Sequence, residues 1–564
     1  MAASAAMTTA LAQDQTGAAA TPAPAAAPLA ATAPGGSLPL LGSGPASAPG
    51  LLAASPSGLA TPAPPVGVSV RLGDVGQVLS AASAVGAVPV VAPSGLTITP
   101  SLGVSEEFNS NIFNSVNDRR SDFITQITPA VLATLSTPWA TGTLSYAPEV
   151  QFFAENPSEN NVGQYLNGSF NATLLPQTLL LSLGAYASQG STSGGVVPGG
   201  ASVATKGNRT TTTGFYVQPT FEHRFADIGT LQLGYTLQYS SQSGSAAFAP
   251  GAAQPFFVGS HALANQGSAI FTTGPVLGRF NNTVTGLVSE DSGTGILDGA
   301  HQYMAIDTLR FAVERRVYVF GTIGYENIFY PSVPVVEIED GVWAVGFNLT
   351  PAPGTSITAG YGRIEGLEAP FLQAVISLTP RTTLAASYSN TLGSSLQFLQ
   401  YALTNSLVDA AGNPIASATG TPILLGNQLL SVQSGLSRNA IFSASLTTTW
   451  PRDTVSVGLF NEQQKLIANA PGVTGFSQNS WSGSVTWTHV LTPVLTAASY
   501  FQLGETNSRA VGSGASAVVA GQVSLAYNLT PTLTGTLLYG ISNDSFPDGN
   551  ALQNIVMVAL QKTF

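Results

Sequence analysis

Charged residues and cysteine are what this sequence lacks most. Only 8% of its 564 residues are Asp, Glu, Lys or Arg, whereas a soluble protein carries about 25%. There is no Cys, which excludes disulfides and thiolate metal sites and agrees with passage through an oxidising compartment. No run of about 18 apolar residues occurs, so a bundle of membrane-spanning helices is excluded.

Basic residues are too few for a nucleic-acid-binding surface. The formal net charge is −11, and the lysines are Lys206, Lys465 and Lys562. Binding to nucleic acid needs clustered Lys and Arg side chains that displace counterions. Nucleic acid is therefore not an expected partner.

Motifs for metals, nucleotides and catalysis are missing as well. The four histidines are scattered: His223, His261, His301 and His489. No His-Glu-x-x-His pair, zinc-ligand spacing or phosphate-binding loop occurs. The sequence predicts no metal, no cofactor and no enzyme. Barrel enzymes with Ser/His or Asp/His sites on neighbouring strands leave no compact motif, so they stay open as an alternative.

The first 95 residues differ in composition from the rest. They are rich in Ala and Pro and contain no Lys or Arg before Arg71, so residues 13–95 are predicted to be a disordered arm or a periplasmic segment. Residues 1–12 end in Ala10-Leu11-Ala12, a pattern typical of a signal-peptide cleavage site. A basic region and a full apolar region are missing, so either the true start lies upstream of Met1 or the match is accidental.

From residue 96 onward, apolar and polar residues alternate. One example is the run Leu231, Leu233, Tyr235, Leu237 and Tyr239, which is interleaved with Gln232, Gly234, Thr236, Gln238 and Ser240. Such a strand has one oily and one hydrated face. We count about 22 candidate strands, within a range of roughly 18 to 24, over residues 96–564. The predicted fold is all-β, a transmembrane antiparallel up-and-down β-barrel. A soluble sandwich or propeller is the alternative, and the candidate strands are too long for it.

Proline marks one end of the predicted hairpins. It cannot donate to a sheet ladder, and seven prolines separate two alternating runs: Pro138, Pro176, Pro351, Pro380, Pro451, Pro493 and Pro531. All follow even-numbered candidate strands, whereas the long connections, 191–210, 243–263, 393–436 and 466–478, follow odd-numbered ones. Short turns are periplasmic in membrane barrels. Trp139 and Trp450, beside two of these turns, are predicted to lie in the periplasmic aromatic girdle, or else to be ordinary turn aromatics.

One segment resembles a known family. It runs Thr99-Pro100-Ser101-Leu102-Gly103-Val104-Ser105-Glu106-Glu107-Phe108-Asn109-Ser110-Asn111-Ile112-Phe113, and continues with Ser121-Asp122-Phe123-Ile124-Thr125 and Ile127-Thr128-Pro129. This segment resembles the opening of the outer-membrane β-barrel porin 2 family, specifically over residues 96–170. The resemblance implies an outer-membrane barrel, and it admits a link to exopolysaccharide export.

The last strand resembles the signal that the barrel-assembly machinery reads. Its alternate apolar residues are Val556, Val558, Leu560 and Phe564, and Lys562 interrupts this face. A lysine at a membrane edge can extend its amine into the headgroup layer.

Two charged pairs are candidates for the lumen. Glu222 with Arg224, and Arg310 with Glu314, share a face by spacing and alternate with apolar residues. Charges in a lumen set ion selectivity. The alternative is mutual pairing at the periplasmic rim.

Two groups of acidic residues are predicted to lie in outer loops. Glu337, Glu339 and Asp340 are predicted in an outer loop, and Asp544 and Asp548 in another, either as solvated carboxylates or as sites for cations that bridge lipopolysaccharide. One residue is an exception to the alternation: Asp307 falls on the apolar face of its strand, which predicts a bulge or a shifted register.

Two functions follow from this pattern. The first is a passive porin for polar solutes, with exopolysaccharide export as a special case and polysaccharide export components as partners. The second is a non-conducting structural or partner-binding barrel whose lumen is occluded by residues 1–95 or by loop 393–436. Outer-membrane lipid, lipopolysaccharide and the assembly machinery are the other expected partners.

Overall fold

The computed structural model describes residues 95–192, 205–249, 252–398, 406–408, 414–416, 430–509 and 515–564. The predicted arm, residues 1–94, lies outside the described residues. Among those that are described, no helix is long and apolar enough to cross a membrane.

One sheet contains nearly all of the regular structure. Its strands are β1 (Gly95–Asn109), β2 (Asp122–Ser136), β3 (Ala140–Tyr146 and Glu149–Phe153), β4 (Asn161–Gly163 and Leu166–Leu175), β5 (Leu179–Ser191), β6 (Arg209–Phe225), β7 (Gly229–Gly244), β8 (Ser260–Thr273), β9 (Phe280–Gly293), β10 (His301–Glu314), β11 (Val317–Tyr330), β12 (Val336–Leu349), β13 (Ser356–Ile364), β14 (Leu367–Thr379), β15 (Thr382–Gly393), β16 (Gly435–Thr449), β17 (Asp453–Asn469), β18 (Gln478–Thr492), β19 (Leu495–Ser508), β20 (Ala515–Thr530), β21 (Leu533–Phe546) and β22 (Gly549–Thr563). The sheet has 24 segments, and because β3 and β4 are each interrupted once, these make 22 strands.

The remaining elements are short. Four 3-10 turns span Pro157–Glu159, Lys206–Asn208, Pro275–Leu277 and Gly295–Leu297. Two small hairpins pair Ala247–Phe248 with Pro255–Phe257, and Ser406–Val408 with Pro414–Ala416.

Each strand pairs with the next along the chain, and the sheet closes on itself. β1 pairs antiparallel with β22, from Ser101 opposite Thr563 to Asn109 opposite Ile555. The even count lets both ends of the barrel lie on one side of the membrane. This confirms the predicted closed up-and-down barrel and its strand number.

The connections sort by parity as predicted. Those after even-numbered strands have two to six residues, and all seven turn prolines lie in them. The β15–β16 connection, 394–434, is at the other end of the barrel. β8 ends at Thr273, and a 3-10 turn at Pro275–Leu277 follows it.

The outer wall is apolar. Large side chains that alternate along the strands are exposed on it, for example Ile323, Val345 and Val558. An apolar surface of this extent would be unfavourable if it were exposed to water. In a bilayer it is the lipid-facing band of a closed barrel, in which every strand finds ladder partners within the protein.

Candidate functional site

Most of the inner wall is polar. On β7 the inward residues are Thr236, Gln238 and Ser240, and on β8 they include Gln266 and Ser268, all of them buried. Hydroxyl and amide side chains of this kind line hydrated lumens.

A different surface lines β9 to β13. Here the inward residues form an apolar cluster: Leu287, Met304, Ile306, Val342 and Ile364. Below it, the rings of Phe320 and Phe371 lie 6.2 Å apart. These residues form an apolar stretch of the inner wall.

Two carboxylates stand in the same wall. Glu326 on β11 is directly opposite Asp340 on β12. Glu326 is buried, and its Oε1 accepts a 3.0 Å hydrogen bond from the Gly366 N–H. Asp340 forms an ion pair with Arg363.

Glu365 joins the neighbouring strands. It lies in the two-residue turn between β13 and β14, and only 1% of it is exposed. Its Oε2 accepts the backbone N–H of Leu392 at 2.5 Å. Its carbonyl oxygen accepts a 2.7 Å hydrogen bond from Arg438 on β16.

Loops bridge the extracellular mouth. In the β7–β8 loop, the Val258 N–H donates to the Ser434 hydroxyl at 3.0 Å, and Phe256 O accepts from the Ser434 N–H. Pro255 O accepts from the Thr474 N–H of the β17–β18 loop at 2.9 Å. These loops are joined although β8 and β17 are far apart around the ring.

The first turn of the β15–β16 loop reaches the wall on two sides. Ser395 donates to Gln242 on β7 at 3.3 Å. Gln397 donates to Asp291 on β9 at 3.1 Å and accepts from the Tyr330 hydroxyl on β11 at 3.3 Å.

An apolar cluster fills the space beneath these loops. It includes residues from β8, β11, β15, β16 and β17 and from three loops: Ala262, Ile296, Leu297, Ala300, Ile328, Tyr330, Leu392, Leu396, Leu436, Ala468, Ala470 and Val473. We call these residues the mouth cluster. Its burial holds the loops together across the barrel.

The predicted lumen charges lie near the short-turn end. Glu222 accepts from Gln232 at 3.2 Å, and Arg224 donates to the Ala226 carbonyl at 3.3 Å. Arg310 lies on the inward alternation of β10, and a bulge between Ala312 and Glu314 interrupts that alternation before Glu314. Spacing alone therefore does not place Glu314 in the lumen. A role in selectivity stays a prediction for all four residues.

The predicted girdle and terminal-strand residues are exposed. Trp139 and Trp450 lie at the short-turn end, where Phe225 and Phe280 are also exposed. Along β22 the exposed side chains are Val556, Val558 and Leu560, and Phe564 follows the strand. Lys562 donates to the Thr532 hydroxyl at 2.5 Å. The girdle and assembly roles stay predictions.

Two assignments of acidic residues to loops were wrong. Glu337, Glu339 and Asp340 lie within β12, because this strand continues its ladder with β11 up to Val336. Asp544 lies within β21, is buried, and accepts a hydrogen bond from Asn114. Asp548 is in the β21–β22 turn.

The interpretation of Asp307 as a bulge or a register error was also wrong. Its ladders with Val284 and Ile323 are continuous. The side chain lies on the lipid-facing alternation, where Asn282 donates to it at 2.6 Å. This hydrogen bond offsets part of the cost of a polar group on that face.

Glu326, Glu365 and Arg438 were not among the candidate residues predicted from the sequence. The turn between β13 and β14 brings these three residues together. Glu365-Gly366 between two alternating runs was the available signal for that turn. Within the described residues, no group of three or more His, Cys, Asp or Glu side chains is arranged to hold a metal ion.

Comparisons with known proteins bear on the fold. No protein-family model matches the sequence, and no curated protein matches it; the resemblance over residues 96–170 therefore stays a prediction. Solved structures that align with the chain include the FrpB iron transporter from Neisseria meningitidis (11% identity, 83% of each chain, TM-score 0.46). Others are the siderophore receptor PirA from Acinetobacter baumannii (9% identity, 84% of this chain and 81% of that chain, TM-score 0.43) and the ferric-catecholate import receptor Fiu from E. coli K12 (10%, 82% and 81%, 0.46).

Those similarities are too weak to carry an argument about function. The class of the protein follows from its own structure: a closed antiparallel ring of 22 strands with an apolar outer wall and short turns at one end. The chain is an outer-membrane β-barrel.

Proposed function

We propose that this protein is an outer-membrane transport barrel for polar solutes whose extracellular mouth its own loops close. The observation that carries the proposal is the combination of a lumen wall rich in Gln, Ser and Thr with the mouth cluster above it. A ring of about 22 strands is wide enough for a channel unless something fills it.

Uncharged solutes suit this lumen best. Two of the charges in the wall are compensated locally, because Asp340 is paired with Arg363 and Arg438 binds the Glu365 carbonyl. Within this proposal, the protein acts either as a passive porin or as an exporter of polysaccharide segments. The similarity to the solved iron and siderophore transporters is too low to suggest the same cargo for this chain.

Electrical recordings test the proposal. We expect refolded wild-type protein in planar bilayers to give rare, small conductance steps, because the loops bridge the mouth. Replacing residues 394–434 by a short Gly-Ser turn removes Ser395, Gln397 and Ser434, and we expect frequent, larger steps. The matched control replaces residues 509–514, the β19–β20 loop, and leaves the wild-type recording unchanged.

A non-conducting structural or partner-binding barrel is the second candidate, and the bridged mouth is the observation that favours it. The same recordings decide between the two. If the variant without the β15–β16 loop folds and still carries no current, transport is refuted and the structural role is left.

A further inference from the structure

The wall of the barrel has one seam whose ladder stops half-way. β14 and β15 pair from Leu372 opposite Tyr388 down to Thr379 opposite Thr382. Above that point, Leu367–Phe371 pairs only with β13, and Ser389–Gly393 pairs only with β16. The unpaired stretch of five residues is about 16 Å long.

Pro370 explains why the ladder stops. Ile364 and Leu367 close a two-residue turn with positive φ at both central residues, Glu365 (53°) and Gly366 (68°). The closing pair of such a turn is hydrogen-bonded, so alternate residues of β14 direct their N–H groups toward β15. Pro370 is one of these, and it has no N–H to give.

The residue opposite Pro370 is left without a ladder partner on the β14 side. Continuing the register beyond Leu372 and Tyr388 places Asn390 opposite Pro370. The Asn390 side-chain Oδ1 is buried, with no hydrogen-bond partner among the described residues. Unpaired polar groups within a bilayer are costly, so barrels normally keep their seams continuous.

Glu365 closes the top of this gap. The next N–H of β15 that points toward β14 is that of Leu392, and it donates to the Glu365 carboxylate instead of a strand carbonyl. Glu365 is the only residue of its turn with a side chain, and its left-handed backbone conformation is one that a glutamate rarely adopts. The hydrogen bond from Leu392 to Glu365 therefore comes with local backbone strain at Glu365.

The lumen side of the gap adjoins an apolar surface. Val342 on β12 and Ile364 on β13 belong to the apolar cluster of the inner wall, and the Phe320 and Phe371 rings lie lower, on the flanking strands β11 and β14. The opposite side of the gap faces lipid. A molecule that passes from this apolar surface to the lipid through the gap is expected to have an apolar chain, because both environments that the chain would enter are apolar.

We propose that the seam between β14 and β15 is a lateral opening that passes the acyl chain of a single-chain amphiphile between the lumen and the bilayer, with Glu365 as its latch. Opening breaks the Glu365–Leu392 hydrogen bond and the hydrogen bond from Arg438 to the Glu365 carbonyl, and it tilts the β13–β14 hairpin away from β15. The ladder below Leu372 stays intact as the hinge. The opening does not depend on ion conduction through the lumen, so it is separable from the proposed transport of polar solutes.

The absence of native cysteine makes a disulfide test clean. The test variant is Ala369→Cys with Thr391→Cys, the pair next to Pro370 in the continued register, which keeps Pro370 and Asn390 and locks the seam when oxidised. The control is Leu503→Cys with Val519→Cys, a pair directly opposite across the complete β19–β20 ladder. The probe is palmitic acid with a diazirine in its chain, photolysed in proteoliposomes that contain each protein, and labelled peptides are identified by mass spectrometry.

We expect label on the peptides that contain Phe320 and Phe371 in the reduced test variant, its loss on oxidation, and no effect of the control disulfide. Glu365→Ala should raise labelling about tenfold, as expected for a two-state opening that loses a hydrogen bond to a charged group. Equal labelling of the locked and reduced forms, or label confined to lipid-facing peptides, would overturn the proposal. The disulfide comparison decides the matter even if Glu365→Ala does not fold.

Discussion

Leu392 donates its backbone N–H to the Glu365 carboxylate at 2.5 Å, joining two strands that share no ladder at that height. The contact replaces one rung of the sheet with a side chain. It also places a buried carboxylate at a turn position where Gly, Asn or Asp is easier to accommodate.

Glu365→Gly should destabilise the barrel despite relieving the backbone. Glycine gains up to about 1 kcal/mol at a left-handed position. Losing a buried hydrogen bond to a charged group costs about 1.5–3 kcal/mol, so the expected net loss is about 1–2 kcal/mol. Guanidinium unfolding in lipid vesicles, followed by tryptophan fluorescence, measures the difference. Glu368→Ala, at an exposed position three residues along, is the control, and an equal loss there would contradict this account.

Gly346→Ala should also destabilise the barrel. A Cβ at Gly346 would lie 2.6 Å from the Ala359 carbonyl oxygen and would overlap the Phe320 ring. Overpacking of this kind costs about 1–3 kcal/mol. Gly321→Ala is the matched control, because nothing lies within 4 Å of a Cβ there. The same unfolding assay compares the two, and a larger loss for Gly321→Ala would refute the packing argument.

Removing the charge of Asp307 should stabilise the barrel in lipid. Its carboxylate lies on the lipid-facing alternation in the middle of β10, held by Asn282. We expect Asp307→Leu combined with Asn282→Leu to raise the free energy of unfolding by about 1 kcal/mol or more, because a polar pair leaves the bilayer. Unfolding in vesicles tests this. A lower free energy of unfolding for the double variant would show that the hydrogen bond between Asn282 and Asp307 stabilises the barrel by more than it costs to place the two polar groups in lipid.

Asn111→Ala should loosen the β1–β2 loop over the closing strands. Asn111 is buried; its side chain donates to Ser115 O at 2.8 Å and accepts from the Ser115 N–H at 3.0 Å, while Gln553 on β22 donates to its carbonyl. We expect trypsin to cut the folded variant faster after Arg119 and Arg120, with a stability loss of about 1–3 kcal/mol.

Asn117→Ala, in the same loop but exposed, is the control for that experiment. Its cleavage rate should equal that of wild type. Equal rates in both variants would mean that other contacts of the loop, such as Arg119 with the Asn550 carbonyl, hold it in place.

Strand number and orientation were predictable because they depend on local patterns. Alternation fixes which side chains face lipid, and proline fixes where hairpins end, so each strand could be found from its own residues. Glu337 was misplaced because a strand that extends above its neighbour on one side is continued by pairing, not by its own alternation.

The sequence by itself determined a closed outer-membrane barrel of about 22 strands, with proline turns at one end and long loops at the other. Only the tertiary structure decided that the loops bridge the mouth, that Glu365 reaches Leu392, and that Pro370 stands opposite Asn390 at an incomplete seam. These relationships join residues 20 to more than 170 positions apart, as with Val258 and Ser434. Which residues meet there depends on how the ring closes and how its loops fold back, and no local pattern contains that information.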